Sequence, residues 1–288
     1  MKYRIWDSGN VRGSVHINHG MAEHGERYDE FASFLACHGY VVWIQDHRGH
    51  GLNANGKYGY FAKKNGSKLV VDDSIFFDEE MKRMFPGVKH IVIGHSMGSF
   101  ITRIALSKRP ELFDAAVVIG SGGKQGLLGF FGHLVSSFDA LLFGDDHVDT
   151  LMDKLAFSSY IKGFDEGKSS WISRDEEVRR KYEEDPECGF VCTSSFYNDL
   201  ITLSATANSK RVIDGTRCDM PILFLSGSED PVGGKGRGFG KFVSLYSKHM
   251  DKVSSKLYHG ARHEILNEIG KEEVYSDILS FLEGVVDE

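Results

Sequence analysis

Short apolar runs and segments with apolar residues at helical spacing alternate along most of the chain. Val15-His16-Ile17-Asn18 predicts a first strand. Tyr28, Phe31, Phe34 and Leu35 then share one face of a helix over residues 26–38. Val41-Val42-Trp43-Ile44 reads as a second, buried strand. Residues 70–85 follow as a helix, Ile91-Val92-Ile93 as a third strand, residues 97–108 as a helix and Ala115 to Ile119 as a fourth strand. Pro221 to Leu225 and Lys256-Leu257-Tyr258 predict the last two strands, and residues 271–284 a closing helix. Strand and helix in alternation predict βαβ units, hence an α/β chain with a mostly parallel central sheet flanked by helices.

The rhythm breaks between about residues 122 and 200, where no strand pattern is evident. An apolar run, GLLGFFGHLVSSFDALLFG (126–144), gives way to a stretch rich in Asp, Glu, Lys and Ser. This predicts a helical insertion after the fourth strand, with residues 1–121 and 201–288 forming one core and 122–200 a cap. His133 and Asp139 interrupt the apolar run, so it is not expected to span a membrane. The glycine-rich GGKGRGFG (233–240) has neither the Gly-Lys-Ser/Thr ending of a phosphate loop nor G-x-G-x-x-G spacing, and reads as a flexible entry to a helix.

Candidate chemistry begins at Gly94-His95-Ser96-Met97-Gly98, between the third strand and its helix. A strand-to-helix turn this tight lifts a serine out of the sheet, and small neighbours leave room for it. It also aims the Met97 N–H, at a helix N-terminus, toward the same spot. A serine nucleophile needs a base and an acid that orients the base. Downstream, ILFLSGSEDPVG (222–233) places Glu229 and Asp230 just past a strand, and LYHGARHEILNE (257–268) places His263 in a loop beyond the last strand. The order serine, acid, histidine selects Ser96, Asp230 and His263, with Glu229 the second candidate acid and His259 the second candidate base. His259 lies nearer the strand and is expected to pack. An early strand ending in His19-Gly20 offers the Met21 N–H as a second oxyanion donor. Glu23 and Arg27, four apart at a helix start, are spaced to pair.

Four stretches together resemble the monoacylglycerol lipase and lysophospholipase branch of the α/β-hydrolase superfamily, which is often grouped with the S33 serine aminopeptidases. They are His19-Gly20-Met21-Ala22-Glu23-His24-Gly25-Glu26-Arg27-Tyr28, Asp46-His47-Arg48-Gly49-His50-Gly51, Gly94-His95-Ser96-Met97-Gly98 and Arg262-His263-Glu264. The resemblance runs from about residue 10 to the C-terminus and is weakest in the insertion. It implies an α/β-hydrolase fold, an acyl-serine ester hydrolase with oxyanion donors at Met21 and Met97, and no metal or organic cofactor. The implied substrate is a lipid ester, a monoacylglycerol or lysophospholipid, with water as co-substrate. Phe130, Leu134 and Phe138 in the apolar run are then expected to line an acyl tunnel. The run itself is either a buried cap helix or an exposed lid in weak contact with a membrane surface. Asn53 stands where such proteins usually carry serine, and Met21 replaces a commoner small residue. The rivals are a short-chain or aryl esterase, an aminopeptidase holding a free amine with cap acids such as Asp145 and Asp146, and a non-catalytic receptor on the same fold.

Composition narrows this picture only modestly. The 288 residues carry 34 Lys plus Arg against 41 Asp plus Glu, a formal charge of −7, which argues against nucleic acid as a partner. The start, Met1 to Asp7, has no apolar core of a signal peptide, and four cysteines are few for this length. A cytoplasmic location with free thiols is therefore expected. Cys188 and Cys192 are four apart with no further cluster in the sequence to complete a zinc set, so no metal is expected.

Overall fold

The computed structural model describes residues 1–7, 9–123, 136 and 142–287. Seven strands form one sheet in the order β1-β3-β2-β4-β5-β6-β7: β1 (Tyr3–Trp6), β2 (Gly13–Asn18), β3 (Tyr40–Gln45), β4 (Lys89–His95), β5 (Ala115–Ile119), β6 (Ile222–Gly227) and β7 (Val253–Tyr258). All neighbours pair in parallel except β1, which runs antiparallel to β3. This is the α/β-hydrolase fold that the alternation and motifs predict. β5 is buried at every position because helices cover both faces of the sheet, which is why it reads as an unbroken apolar run.

β1 is not predicted by the apolar pattern. Its burial alternates between exposed and half-buried, since it is a four-residue edge with one covered face. It is held by stacking of Tyr3 on Trp43, with ring centroids 4.9 Å apart, and by its ladder to β3. β7 begins three residues before its predicted start, because Val253-Ser254-Ser255 is a partly exposed edge with no apolar run.

One core layer packs α1 (Asp29–Cys37) and the C-terminal helix (Lys271–Val286) on one face of the sheet, through Phe31, Leu35, Ile278 and Leu282. The other layer packs α2 (Gly66–Met84) and α3 (Met97–Lys108) on the opposite face, through Val70, Ile101, Ala105 and Phe224. α3 is buried from Met97 to Leu106, so it is apolar on nearly every side.

Between β5 and β6 the described residues hold α4 (Thr150–Ile161), α5 (Glu176–Glu184), α6 (Ser194–Ala207) and α7 (Lys210–Gly215). Each starts at a capping side chain. Asp149 accepts from the Met152 N–H, Asp175 from Glu177 and Val178, Thr193 from Phe196, and Ser209 from Val212. α6 straddles the expected boundary at 200/201 and packs on α2 and α3. The GGKGRGFG stretch leads into α8 (Arg237–Ser247), and the closing helix is α9. Among the described residues no helix is long and apolar enough to cross a membrane.

The topology brings the C-terminal ends of β2, β4, β5, β6 and β7 to one edge of the sheet. Ligands bind outside the carboxyl ends of strands in open α/β sheets, and the candidate residues all follow these ends.

Candidate active site

β4 stops at His95 and α3 starts at Met97, so Ser96 alone makes the turn. Its φ of 52° and ψ of −118° lie outside the regions that L-residues prefer. The turn is over-determined by its neighbours. A Cβ on Gly98 would lie 2.0 Å from the Asn18 carbonyl oxygen, and one on Gly94 would lie 2.6 Å from the Gly98 oxygen. The Ser96 N–H donates to the Ile119 carbonyl at 2.9 Å, tying the strained residue to the next strand. Met97, in the first turn of α3, has an N–H without an intrahelical acceptor, at the positive end of the helix dipole.

Asp230 and His263 meet beyond β6 and β7. Asp230 Oδ1 is 3.0 Å from His263 Nδ1, and both side chains are buried. Asp230 also accepts from the Val232 N–H at 2.9 Å and the Ser226 hydroxyl at 3.2 Å. With the carboxylate as acceptor, Nδ1 carries the proton and Nε2 is left with a free lone pair. Burial works against a charged His263, but the Asp230 charge and hydrogen bond outweigh it, and the pKa is raised above its ordinary 6.5. The ring sits between His95 and Trp171, at centroid distances of 4.9 and 5.0 Å. Glu229 points elsewhere: it is exposed, 3.6 Å from Lys235 Nζ. His259 is exposed rather than packed, because it sits in the turn that follows an edge strand.

The loop after β2 is organised around Glu23. Its Oε1 accepts from the Gly20 N–H at 2.5 Å and the Tyr28 hydroxyl at 2.8 Å, and lies 3.2 Å from His95 Nδ1. Its Oε2 takes Arg27 at 2.6 Å. Burial opposes the charge on Glu23, yet the His95 hydrogen bond and the Arg27 cation hold the carboxyl well below the usual range. The Glu23–Arg27 pair expected at a helix start does form, but across a 3-10 turn (Gly25–Tyr28), with α1 starting only at Asp29. Arg27 also bridges in a fork to Glu264 at 2.7 and 2.6 Å, so the loop after β2 is bonded to the residue beside His263.

The Asp46–Gly51 motif supports the same loop from below. Asp46 accepts from the N–H groups of Gly25 and Leu52 and from Arg4. His50 Nε2 accepts from the N–H of Ala22, a residue at φ 52°, while Nδ1 faces the Arg48 carbonyl. His19 accepts from the His47 N–H. Burial lowers the pKa of His19 to about 3 and of His50 to about 4, and pushes His47 well below 6.5, so all three are neutral at pH 7. Neutrality is what lets Nε2 of His19 and His50 act as acceptors. Asn53 clasps the Asp46 carbonyl and the backbone of Lys2, a support that residue type alone does not disclose. Glu264 and Trp171 are further site residues that sequence reasoning did not single out. Glu264 stood within a quoted motif, whereas Trp171 had no local signal.

Ser96, Met97, Met21 and His263 line one cavity of about 920 Å³, with Phe157, Trp171 and Leu200 among its other walls. The tunnel residues expected from the sequence, Phe130, Leu134 and Phe138, lie outside the described residues. His24 Nε2 bonds Asp185 Oδ2 at 2.9 Å, clipping the segment after α5 to the loop after β2. With Cys188 these two place donor atoms within 4.8 Å of one another, a grouping the sequence spacing did not reveal. Cys192 lies elsewhere, against the turn at Gly59.

A seven-stranded, mostly parallel sheet with a strained serine after β4 and an acid–histidine pair after β6 and β7 defines an α/β-hydrolase. The family model described as serine aminopeptidase, S33, matches residues 9–270, and the chain belongs to that family. It is similar to the monoacylglycerol lipase of Mycolicibacterium smegmatis, 26% identical over 97% of this chain and 91% of that protein. It is also similar to the monoglyceride lipase homolog of Monkeypox virus, 25% identical over 93% of this chain and 87% of that one. A solved structure described as a lipase in its open form superposes with a TM-score of 0.91 at 26% identity, covering 99% of this chain and 94% of that one. The chain is a carboxylic ester hydrolase.

Gly98→Ala tests the packing that holds the turn. The new Cβ must displace either the end of β2 or the start of α3, and a shift near 1 Å costs on the order of 10²-fold in turnover. Ester turnover should fall by about that factor with the far-ultraviolet circular dichroism unchanged. Wild-type turnover would show that the turn tolerates the displacement.

Proposed function

We propose that this enzyme hydrolyses a monoacylglycerol or lysophospholipid through an acyl-serine intermediate. The observation that carries the reading is the convergence, at one cavity, of a strained Ser96 with a buried Asp230–His263 pair. Ser96 Oγ attacks the ester carbonyl while His263 Nε2 takes its proton. Asp230 keeps Nδ1 protonated and stabilises the imidazolium. The N–H groups of Met21 and Met97 receive the developing oxyanion. His263 then protonates the departing alcohol, glycerol from a monoacylglycerol or the glycerophosphodiester from a lysophospholipid. Water, deprotonated by the same nitrogen, releases the fatty acid and restores Ser96. Each step is assigned to a residue of the chain or to water.

The size and apolar walls of the cavity support a long acyl chain over an acetyl or aryl group. The lipase names of the relatives point the same way. The aminopeptidase reading loses its expected amine holders: Asp146 pairs with Lys57 in the open, and neither it nor Asp145 lines the cavity. The four cysteines are free thiols, which supports a cytoplasmic site of action. Leu142, Phe143, Leu151 and Leu155 are all more than half exposed, and Leu155 also lines the cavity. These exposed apolar side chains support weak contact with a lipid surface.

Ser96→Ala and His263→Ala should each remove ester turnover by on the order of 10⁴-fold or more, since the two act as a unit. Asp230→Asn should also cripple turnover, whereas Glu229→Gln should be mild. The raised pKa of His263 places the acid limb of kcat/KM above pH 6.5, because only the neutral imidazole accepts the proton. Asp230→Asn removes the raising charge, so its limb should move to lower pH. A limb unmoved in Asp230→Asn refutes the assignment of the acid.

Leu200→Arg places an unpaired charge among the apolar walls, at a cost of several kcal/mol in a dry site. Turnover of a C12 ester should fall far more than that of a C2 ester. Equal losses at both lengths, in a variant with normal circular dichroism, would mean the acyl chain lies elsewhere.

Vesicle co-sedimentation should find weak, reversible binding of wild type, reduced in a Leu142→Ser/Phe143→Ser variant. The charge of −7 lends no attraction to anionic lipid, so the binding should not depend on it. Wild type wholly in the supernatant would rule out the lipid contact.

A further inference from the structure

We propose that Arg103 is a positioning residue for the turn that carries Ser96, acting on the Ser96 carbonyl through the hydroxyls of Ser121 and Ser99. The inference rests on Ser96 as nucleophile.

Arg103 lies on α3, two turns beyond Ser96, and is fully buried. Its Nε donates to the Tyr246 hydroxyl at 2.9 Å. Nη2 donates to the Ala207 carbonyl at 2.7 Å and Asn208 Oδ1 at 3.0 Å, and Nη1 to Ser121 Oγ at 3.3 Å. These acceptors are all neutral. Among the described residues no carboxylate pairs with the guanidinium, whose carbon stands 4.3 Å from the Phe242 ring centroid. A buried cation is expensive, and here hydrogen bonds and an aromatic face offset the cost.

The chain continues from Ser121. Its hydroxyl is 2.8 Å from Ser99 Oγ, which is 2.5 Å from the Ser96 carbonyl oxygen. A guanidinium only donates and a carbonyl only accepts. Ser99 O–H is shared between the Ser96 carbonyl and Ser121 Oγ, and Arg103 Nη1 donates to that same Ser121 oxygen. Arg103 thus fixes the Ser121 hydroxyl with a charge-assisted bond, and Ser121 in turn fixes the side chain of Ser99. The Ser96 carbonyl, which also accepts from the Ser99 N–H at 3.0 Å, is thereby held in the strained geometry that points Oγ into the cavity. Arg103 touches no reacting atom. Its effect reaches Ser96 only through the two hydroxyls.

The test is a double-mutant cycle of Ser99→Ala and Arg103→Lys on an ester substrate. A fluorophosphonate label mapped to its residue checks the underlying reading first, since labelling anywhere but Ser96 refutes that reading and not the chain. Each single variant should lower kcat about fivefold or more, with KM within about twofold, and the double variant should be no worse than the poorer single. Losses that multiply, or wild-type kcat in both folded singles, overturn the proposal. If Arg103→Lys fails to fold, Ser121→Ala takes its place in the cycle with the same outcomes. Ser99→Thr, which keeps the hydroxyl, should restore most of the kcat lost in Ser99→Ala, and no restoration also overturns the proposal.

Discussion

The contact between Gly98 and the end of β2 is the constraint on which the site depends. With only 2.0 Å between a would-be Cβ and the Asn18 oxygen, α3 can approach the sheet only if residue 98 has no side chain. That approach forces the chain to reverse within one residue, and Ser96 takes the unfavourable backbone angles as a result. The strain, of order 1–3 kcal/mol for such a residue, is sustained by the ladder of β4 and by the burial of α3 from Met97 to Leu106. The most buried helix of the described fold is thus also the one that presents the serine.

A second link joins the two loops that face the serine. Glu23, Arg27 and Glu264 form a chain of charge-assisted hydrogen bonds from the Gly20 N–H to the residue after His263. Low exposure makes each member costly if left unpaired, so the loop after β2 and the loop after β7 are fixed relative to one another. The segment after α5 is attached to the same loop through His24–Asp185 and through the Gly189 N–H to the Ala22 carbonyl. The histidines divide by environment. His19, His47 and His50 are buried with no carboxylate in hydrogen-bond contact among the described residues and stay neutral as backbone supports, whereas His263 has Asp230 and gains basicity.

The parallel strands, the helices between them and the Gly-x-Ser-x-Gly turn were legible because each is a local pattern: a buried strand is an apolar run and a tight turn needs glycine. Ser96, Asp230 and His263 stood out as candidates because each follows a strand end in the order such sheets impose. Burial then distinguishes Asp230 from its exposed neighbour Glu229, a difference that adjacent acids in a sequence cannot express. β1 was not legible, since a short edge strand with one covered face leaves no apolar run. The same holds for the tie between Arg27 and Glu264, whose positions are 237 residues apart.

Sequence alone determined the fold class, the family motifs and a short list of reactive groups, since these rest on periodicity and on residue types close together along the chain. Tertiary structure decided which acid meets the histidine, which histidines are neutral, and that Arg103 lies buried within reach of the serine turn. Those outcomes depend on desolvation and on distances of about 3 Å between residues remote in sequence, and only the packed fold sets either quantity.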